Sequence, residues 1–271
     1  MPAADAAPSA ARRPAGLVPA DAGRFLVRLL VLSAPFWVAG WLLDWSDRIP
    51  IRLPLSALQF LVVPVAALMV WRRSGGVASA LLRRSLDVYR IPGVTMRIAV
   101  FALMPALVAV TYLLTSARDS TRAAATPLAV LPLFFALYWF SATCEAIGWT
   151  AVMTDALLPA MSPWLVGAMT GAAWAAWHAV PFLQTGNAAT WILAQWAFSI
   201  VFRMLMTRVY TMTDRSMFAV IALQATYDTS FSMVPFYGSG YDPAGLTVVT
   251  LLALIVIAAS DRRHLSGFRT S

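Results

Sequence analysis

The chain has 271 residues, of which 60% are hydrophobic and only 12% charged. Soluble domains run at about 45–50% apolar and about 25% charged; with a mean hydropathy of +0.73, a single soluble domain and a disordered chain are both excluded. All 20 basic residues are Arg, 11 of the 12 acidic residues are Asp, and the one Glu is Glu145. A net charge of +8 fits Arg-rich cytoplasmic loops of a membrane protein, and no motif for nucleic acid accompanies it. The single Cys, Cys144, excludes a disulfide framework and a Cys-based zinc site. The two His are His178 and His264.

In chain order, residues 1–24 are rich in Ala and Pro and read as a disordered cytoplasmic tail. Apolar runs follow near 25–45, 51–71, 96–114, 126–150, 163–182, 189–210, 216–235 and 244–260. A bilayer core about 30 Å thick needs roughly 20 apolar residues of helix. The expected fold is therefore an all-α membrane protein, a polytopic bundle of about eight transmembrane helices over 25–260, with a cytoplasmic tail at 261–271. Pro35, Pro64, Pro105 and Pro132 are expected to kink their helices. With the N-terminus inside, thirteen Arg fall on inside segments, among them Arg12, Arg13, Arg72, Arg73 and Arg269. Four fall outside, Arg48, Arg52, Arg118 and Arg122. That bias puts both termini in the cytoplasm. Between spans, Gly76–Arg90 places Leu82, Leu86 and Tyr89 on one helical face beside Arg83, Asp87 and Arg90. The pattern suits either a helix on the membrane surface or a solvated loop helix.

Charged groups in a bilayer are costly, so each asks for a partner or a purpose. Glu145, His178, Arg203, Gln224 and Asp228 all fall within spans. Counted from the cytoplasmic ends at 1.5 Å per residue, they lie about 12–22 Å deep, in one zone. Gln224 and Asp228 are i and i+4, as are Trp174 and His178, so each pair shares a helical face. Taken singly, a His or Gln often only bonds a neighbouring helix, and Arg203 is expected to snorkel or pair with an acid. Cys144 cannot face the same partner as Glu145, since adjacent helical residues point about 100° apart.

The segments Glu145-Ala-Ile-Gly-Trp-Thr150, Leu158-Pro159 and Trp174-Ala-Ala-Trp-His178-Ala-Val-Pro-Phe182, followed by Leu223-Gln-Ala-Thr-Tyr-Asp228, resemble the CPBP family. This is the family of type II CAAX prenyl proteases and of bacteriocin-processing or immunity proteins. Its motifs are EExxxR, FxxxH and Hxxx[ND], and the motif core here is 134–235. The leading Glu falls on Glu145, the FxxxH His on His178 and the last position on Asp228. Four positions depart: the second Glu is Ala146, the Arg is Thr150, the Phe is Trp174 and the later His is Gln224.

The resemblance implies an intramembrane endopeptidase in a bacterial cytoplasmic membrane, acting on membrane peptides or proteins. Glu145 would be general base, with His178 orienting or sharing the water. Gln224 would donate to the oxyanion, and Asp228 would orient its neighbours. If a divalent metal such as zinc binds, Glu145, His178 and Asp228 would be its ligands. The departures leave a second reading, a catalytically inactive member serving as adaptor, immunity factor or regulator. A transporter would be marked by inverted repeats, and none stands out.

Overall fold

The computed structural model describes residues 16–43, 54–116, 126–238 and 240–267. The expected loop arginines Arg48, Arg52, Arg118 and Arg122, and the tail residues Arg12, Arg13 and Arg269, lie outside the described residues. All regular structure among the described residues is helical. In order it comprises α1 (Pro19–Leu42), α2 (Val63–Arg73, entered through a 3-10 stretch Leu55–Val62), α3 (Ala78–Arg84), α4 (Gly93–Ser116), α5 (Leu131–Gly148), α6 (Asp155–Leu157), α7 (Pro163–Trp177), α8 (Ala179–Gln184), α9 (Ala189–Met212), α10 (Met217–Met233), α11 (Pro235–Gly238) and α12 (Pro243–Gly267). A π-helical turn, Trp149–Thr154, joins α5 to α6.

Six helices among the described residues are long and apolar enough to cross a membrane: Pro19–Leu42, Leu55–Arg73, Gly93–Thr115, Leu128–Leu157, Ala189–Met212 and Pro243–Ser260. The runs expected as spans at 163–182 and 216–235 fold into shorter pieces. The first becomes α7 and α8, of 15 and 6 residues, with His178 at the break. Pro181 explains the break: it has no N–H to offer the carbonyl of Trp177 four residues back. That carbonyl accepts from the Gln59 side chain instead, at 3.4 Å. The second becomes α10, of 17 residues, ended at Val234, whose extended backbone (φ −60°, ψ 143°) is what a following proline demands.

Pro35 and Pro105 lie inside α1 and α4 as expected. Pro64 and Pro132 instead sit in the first turns of α2 and α5, where a missing N–H has no consequence. Helix α1 begins at Pro19, inside the segment expected as tail, because Asp21 accepts the Val18 N–H at 3.0 Å and closes the first turn. Helix α12 continues past 260 to Gly267.

At the arginine-rich end, the segment Gly76–Arg90 is not one continuous helix. Helix α3 stops at Arg84, and a 3-10 turn covers Val88–Arg90. Leu82, Leu86 and Tyr89 are exposed, as either sequence reading requires. Asp87 is not solvated, however: it is buried at the start of α10, accepting the Ser216 hydroxyl at 2.8 Å and the Phe218 N–H at 3.0 Å. A carboxylate there satisfies orphan N–H groups and complements the helix dipole. Beside it, Arg84 pairs with the fully buried Asp155 at 2.8 Å and donates to the Tyr210 hydroxyl. Burial opposes the Arg84 charge, but Tyr210 and Asp155 outweigh it and hold the guanidinium above its ordinary range.

Helix α10 is buried on nearly every side and packs on α4, α5 and α9. In lipid the hydrophobic effect does not press helices together, so close packing and buried hydrogen bonds must do so. The tightest pair, α7 on α9, uses Gly167 and Gly171, four residues apart. A Cβ at Gly167 would lie 2.6 Å from the Met204 Cα, and one at Gly171 2.7 Å from the Ile200 Cα. Large apolar side chains point outward instead, including Val31, Leu113, Leu137, Leu193 and Val256.

Candidate functional site

The close approach of α7 and α9 sets the site. Gly171 lies against the Cβ of Arg203, so the next turn of α7, which carries Trp174, faces that arginine. The Arg203 Cζ stands 4.8 Å from the centroid of the Trp174 ring and 5.7 Å from that of Trp149. Trp149 belongs to the π-helical turn that follows α5. Such turns widen a helix locally and are common at functional sites. Gly148 permits this packing, because its Cα faces Val63 and Phe25 at distances that leave no room for a Cβ.

Trp174 is the hub. Its indole Nε1–H donates to Oε2 of Glu145 at 2.6 Å. Its backbone carbonyl meets Nδ1 of His178 at 2.9 Å. A carbonyl only accepts, so Nδ1 carries the proton and Nε2 presents a lone pair. The His178 ring is wedged edge-on against Trp174 and Trp177 and stacks near Phe182. One tryptophan thus anchors both groups that the motif comparison puts at the centre of the chemistry.

Glu145 and Arg203 are 6% and 1% exposed, and His178 is half-buried. Glu145 and Arg203 both act electrostatically on His178, and Arg203 on Asp228. Trp174 thus gathers Glu145 of α5, His178 at the α7–α8 break and Arg203 of α9, and Asp228 of α10 is within electrostatic range of Glu145 and Arg203. Asp228 is half-buried, one turn beyond Gln224. Gln224 is 1% exposed, and its Oε1 has no hydrogen-bond partner. The Nε and Nη2 of Arg203 also lack one. Of the two expectations for Arg203, snorkelling is not met: the side chain is buried against Trp174 and Trp149.

Beside Asp228, Tyr227 joins a polar cluster near the other end of the bundle. Its hydroxyl lies 3.0 Å from that of Tyr241, which donates to Gln195 at 2.9 Å. Cys144 is a buried free thiol, as an apolar helix position leads one to expect.

Residues 127–230, which include Glu145, His178, Arg203, Gln224 and Asp228, match the family model described as type II CAAX prenyl endopeptidase Rce1-like. The CPBP resemblance of the motifs stands. A search of curated proteins found no match. The chain is an integral membrane protein, and the matched stretch contains Glu145, His178, Arg203, Gln224 and Asp228.

The residues present do not fit the metal that some proposals for CPBP enzymes invoke. Among the described residues, no three His, Cys, Asp or Glu side chains are grouped as a ligand set. No step below passes through a metal.

Sequence reasoning missed two features of the site. It took Trp174 as an aromatic exchange for Phe, although an indole N–H is a donor and a phenyl ring has none. It also passed over Gly167-Ala-Met-Thr-Gly171, a GxxxG pattern that signals close helix packing in membranes.

Proposed function

We propose that the chain is an intramembrane endopeptidase that hydrolyses peptide bonds of membrane-embedded peptides or proteins. The observation that carries this reading is the joint anchoring of Glu145 and His178 by Trp174. With Oε2 held by the indole, Oε1 of Glu145 takes one proton of a water. The Nε2 lone pair of His178 accepts the other proton in a hydrogen bond. A water held by two acceptors points its own lone pair at the substrate carbonyl. Glu145 removes the proton as the water oxygen bonds to the carbonyl carbon, and returns it to the amine as the C–N bond breaks. Gln224 donates its amide N–H to the oxyanion. Asp228 orients the groups around it.

The reading places the protein in a bacterial cytoplasmic membrane with both termini cytoplasmic, the arrangement that the arginine bias favours. The break at His178 lets α7 and α8 together reach across the bilayer, and α10 crosses at the centre of the bundle, for eight crossings in all.

A second reading is favoured by Ala146, Thr150 and Gln224, which lack the charge or acid/base group of the motif. It is a CPBP-fold adaptor, immunity factor or regulator that binds membrane peptides without cutting them.

One experiment separates the two. The full chain is reconstituted in liposomes with a panel of membrane-spanning peptides, beside its Glu145→Gln variant. Cleavage by the wild type that disappears in the variant supports the hydrolase. Specific binding with no cleavage of any peptide supports the adaptor.

A further inference from the structure

The chemistry above makes no use of Arg203. This guanidinium is 1% exposed in a membrane-spanning helix, and its Nε and Nη2 have no hydrogen-bond partner. A buried charge in a bilayer is costly, and idle buried donors add to that cost. Its surroundings are not those of a packing residue. The guanidinium carbon lies 4.8 Å from the ring centroid of Trp174, the residue that holds Glu145 and His178. Glu145 and Asp228 both act on its charge. Its Nε–H and Nη2–H are thus unspent donors close to the tryptophan that holds Glu145 and His178.

Resting on the hydrolase reading, we infer that Arg203 is a catalytic residue that donates Nε–H and Nη2–H to the oxyanion of the tetrahedral intermediate. The fork of a guanidinium suits two parallel bonds to one charged oxygen. The charge balance supports the role. As general base Glu145 starts as the anion, and Arg203 is the cation. When the water oxygen bonds to the carbonyl carbon, its proton goes to Glu145 and the carbonyl π pair goes to oxygen. One negative charge thereby moves from Glu145 to the oxyanion, and the total does not change. Gln224 supplies only a neutral donor against it. Arg203 supplies a cation, and it serves the charge both before and after transfer. On collapse the oxyanion pair re-forms the carbonyl, the C–N bond breaks, and Glu145 returns the proton to the amine.

The test uses the full chain in liposomes, the best-cleaved peptide of the membrane panel, and that peptide's phosphonate analogue, a tetrahedral anion. Arg203→Gln is expected to lower kcat by about 10²–10³-fold with little change in KM, and to weaken phosphonate binding by a similar factor. Arg203→Lys keeps the charge without the fork and is expected to recover part of each loss. Melting temperatures in detergent report folding. If the Gln variant does not fold, the Lys variant decides. A folded Lys variant with wild-type kcat and phosphonate affinity overturns the inference, as does a folded Gln variant with the same properties. Such failure is distinct from failure of the hydrolase reading. The reading falls if Glu145→Gln cleaves like the wild type. A wild type that cleaves no peptide overturns both.

Discussion

Trp174 donates its indole N–H to Oε2 of Glu145 at 2.6 Å. The CPBP motif has Phe at this position, which has no donor, and has an Arg where this chain has Thr150. The exchange of Phe for Trp therefore gives Glu145 a fixed partner on the adjacent helix. Trp174→Phe keeps most of the ring packing against Phe202 and His178 and removes the donor. Hydrogen bonds to charged groups contribute about 1.5–3 kcal/mol, so kcat should fall about 10- to 150-fold. An unchanged kcat in the reconstituted cleavage assay would show that the indole N–H does not hold Glu145 in its working position.

The α7–α9 contact depends on two missing side chains. Gly167→Ala brings a Cβ against the backbone of Met204, which no rotamer change relieves. Overpacking of this kind costs about 1–3 kcal/mol, read as a lower midpoint of thermal unfolding in detergent. Gly23, also helical, has nothing within 4 Å of a built Cβ. Gly23→Ala should therefore leave the midpoint unchanged or raise it, by up to about 1 kcal/mol of helix propensity. Equal effects at the two glycines would contradict this account of the helix contact.

Gln59 compensates for Pro181 by donating to the carbonyl of Trp177 at 3.4 Å, while its own Oε1 accepts from Trp37 at 2.5 Å. Gln59→Leu should destabilise by about 1–3 kcal/mol, the desolvation cost of groups left unsatisfied. Pro181→Ala supplies the missing N–H. In that background, losing Gln59 should cost less, and a double-mutant cycle of unfolding free energies measures the difference. Additive effects would mean that the two residues do not serve the same carbonyl.

Asp155 has a fully buried side chain, ion-paired with Arg84 at 2.8 Å and accepting from the Tyr210 hydroxyl at 2.9 Å. Asp155→Ala leaves the guanidinium of Arg84 without its carboxylate. Breaking a buried pair from one side costs about 3–5 kcal/mol. The loss should exceed that from Arg24→Ala, whose partner Asp21 faces a half-exposed arginine at the bundle surface. Comparable unfolding midpoints for the two variants would refute the distinction.

Much of this molecule was legible in the chain. Glu145 could be singled out because it is the one Glu, and His178 because only two His exist and one lies inside a span. Both are held by Trp174. The long apolar runs gave six helices of spanning length. The two runs that fell short failed at prolines, Pro181 and Pro235, whose effect depends on the next residues' partners as much as on the proline itself. Asp87 reads as a surface charge in a heptad-like pattern, and it caps α10 only because the chain returns 129 residues later to place Ser216 beside it.

The sequence by itself determined that the chain enters a membrane as helices, since a polypeptide this apolar must satisfy its backbone internally. It also determined which few polar groups the bilayer must accommodate, and the order of the motifs that carry them. Only the tertiary structure decided what those groups touch. Arg203 has the same composition signature whether it snorkels or packs on Trp174, because both are available to a long side chain on a helix. The choice follows from how near α9 comes to α7. That distance is set by Gly167 and Gly171 against Met204 and Ile200; the GxxxG pattern signals a close contact, but which helix fills it is decided by the fold.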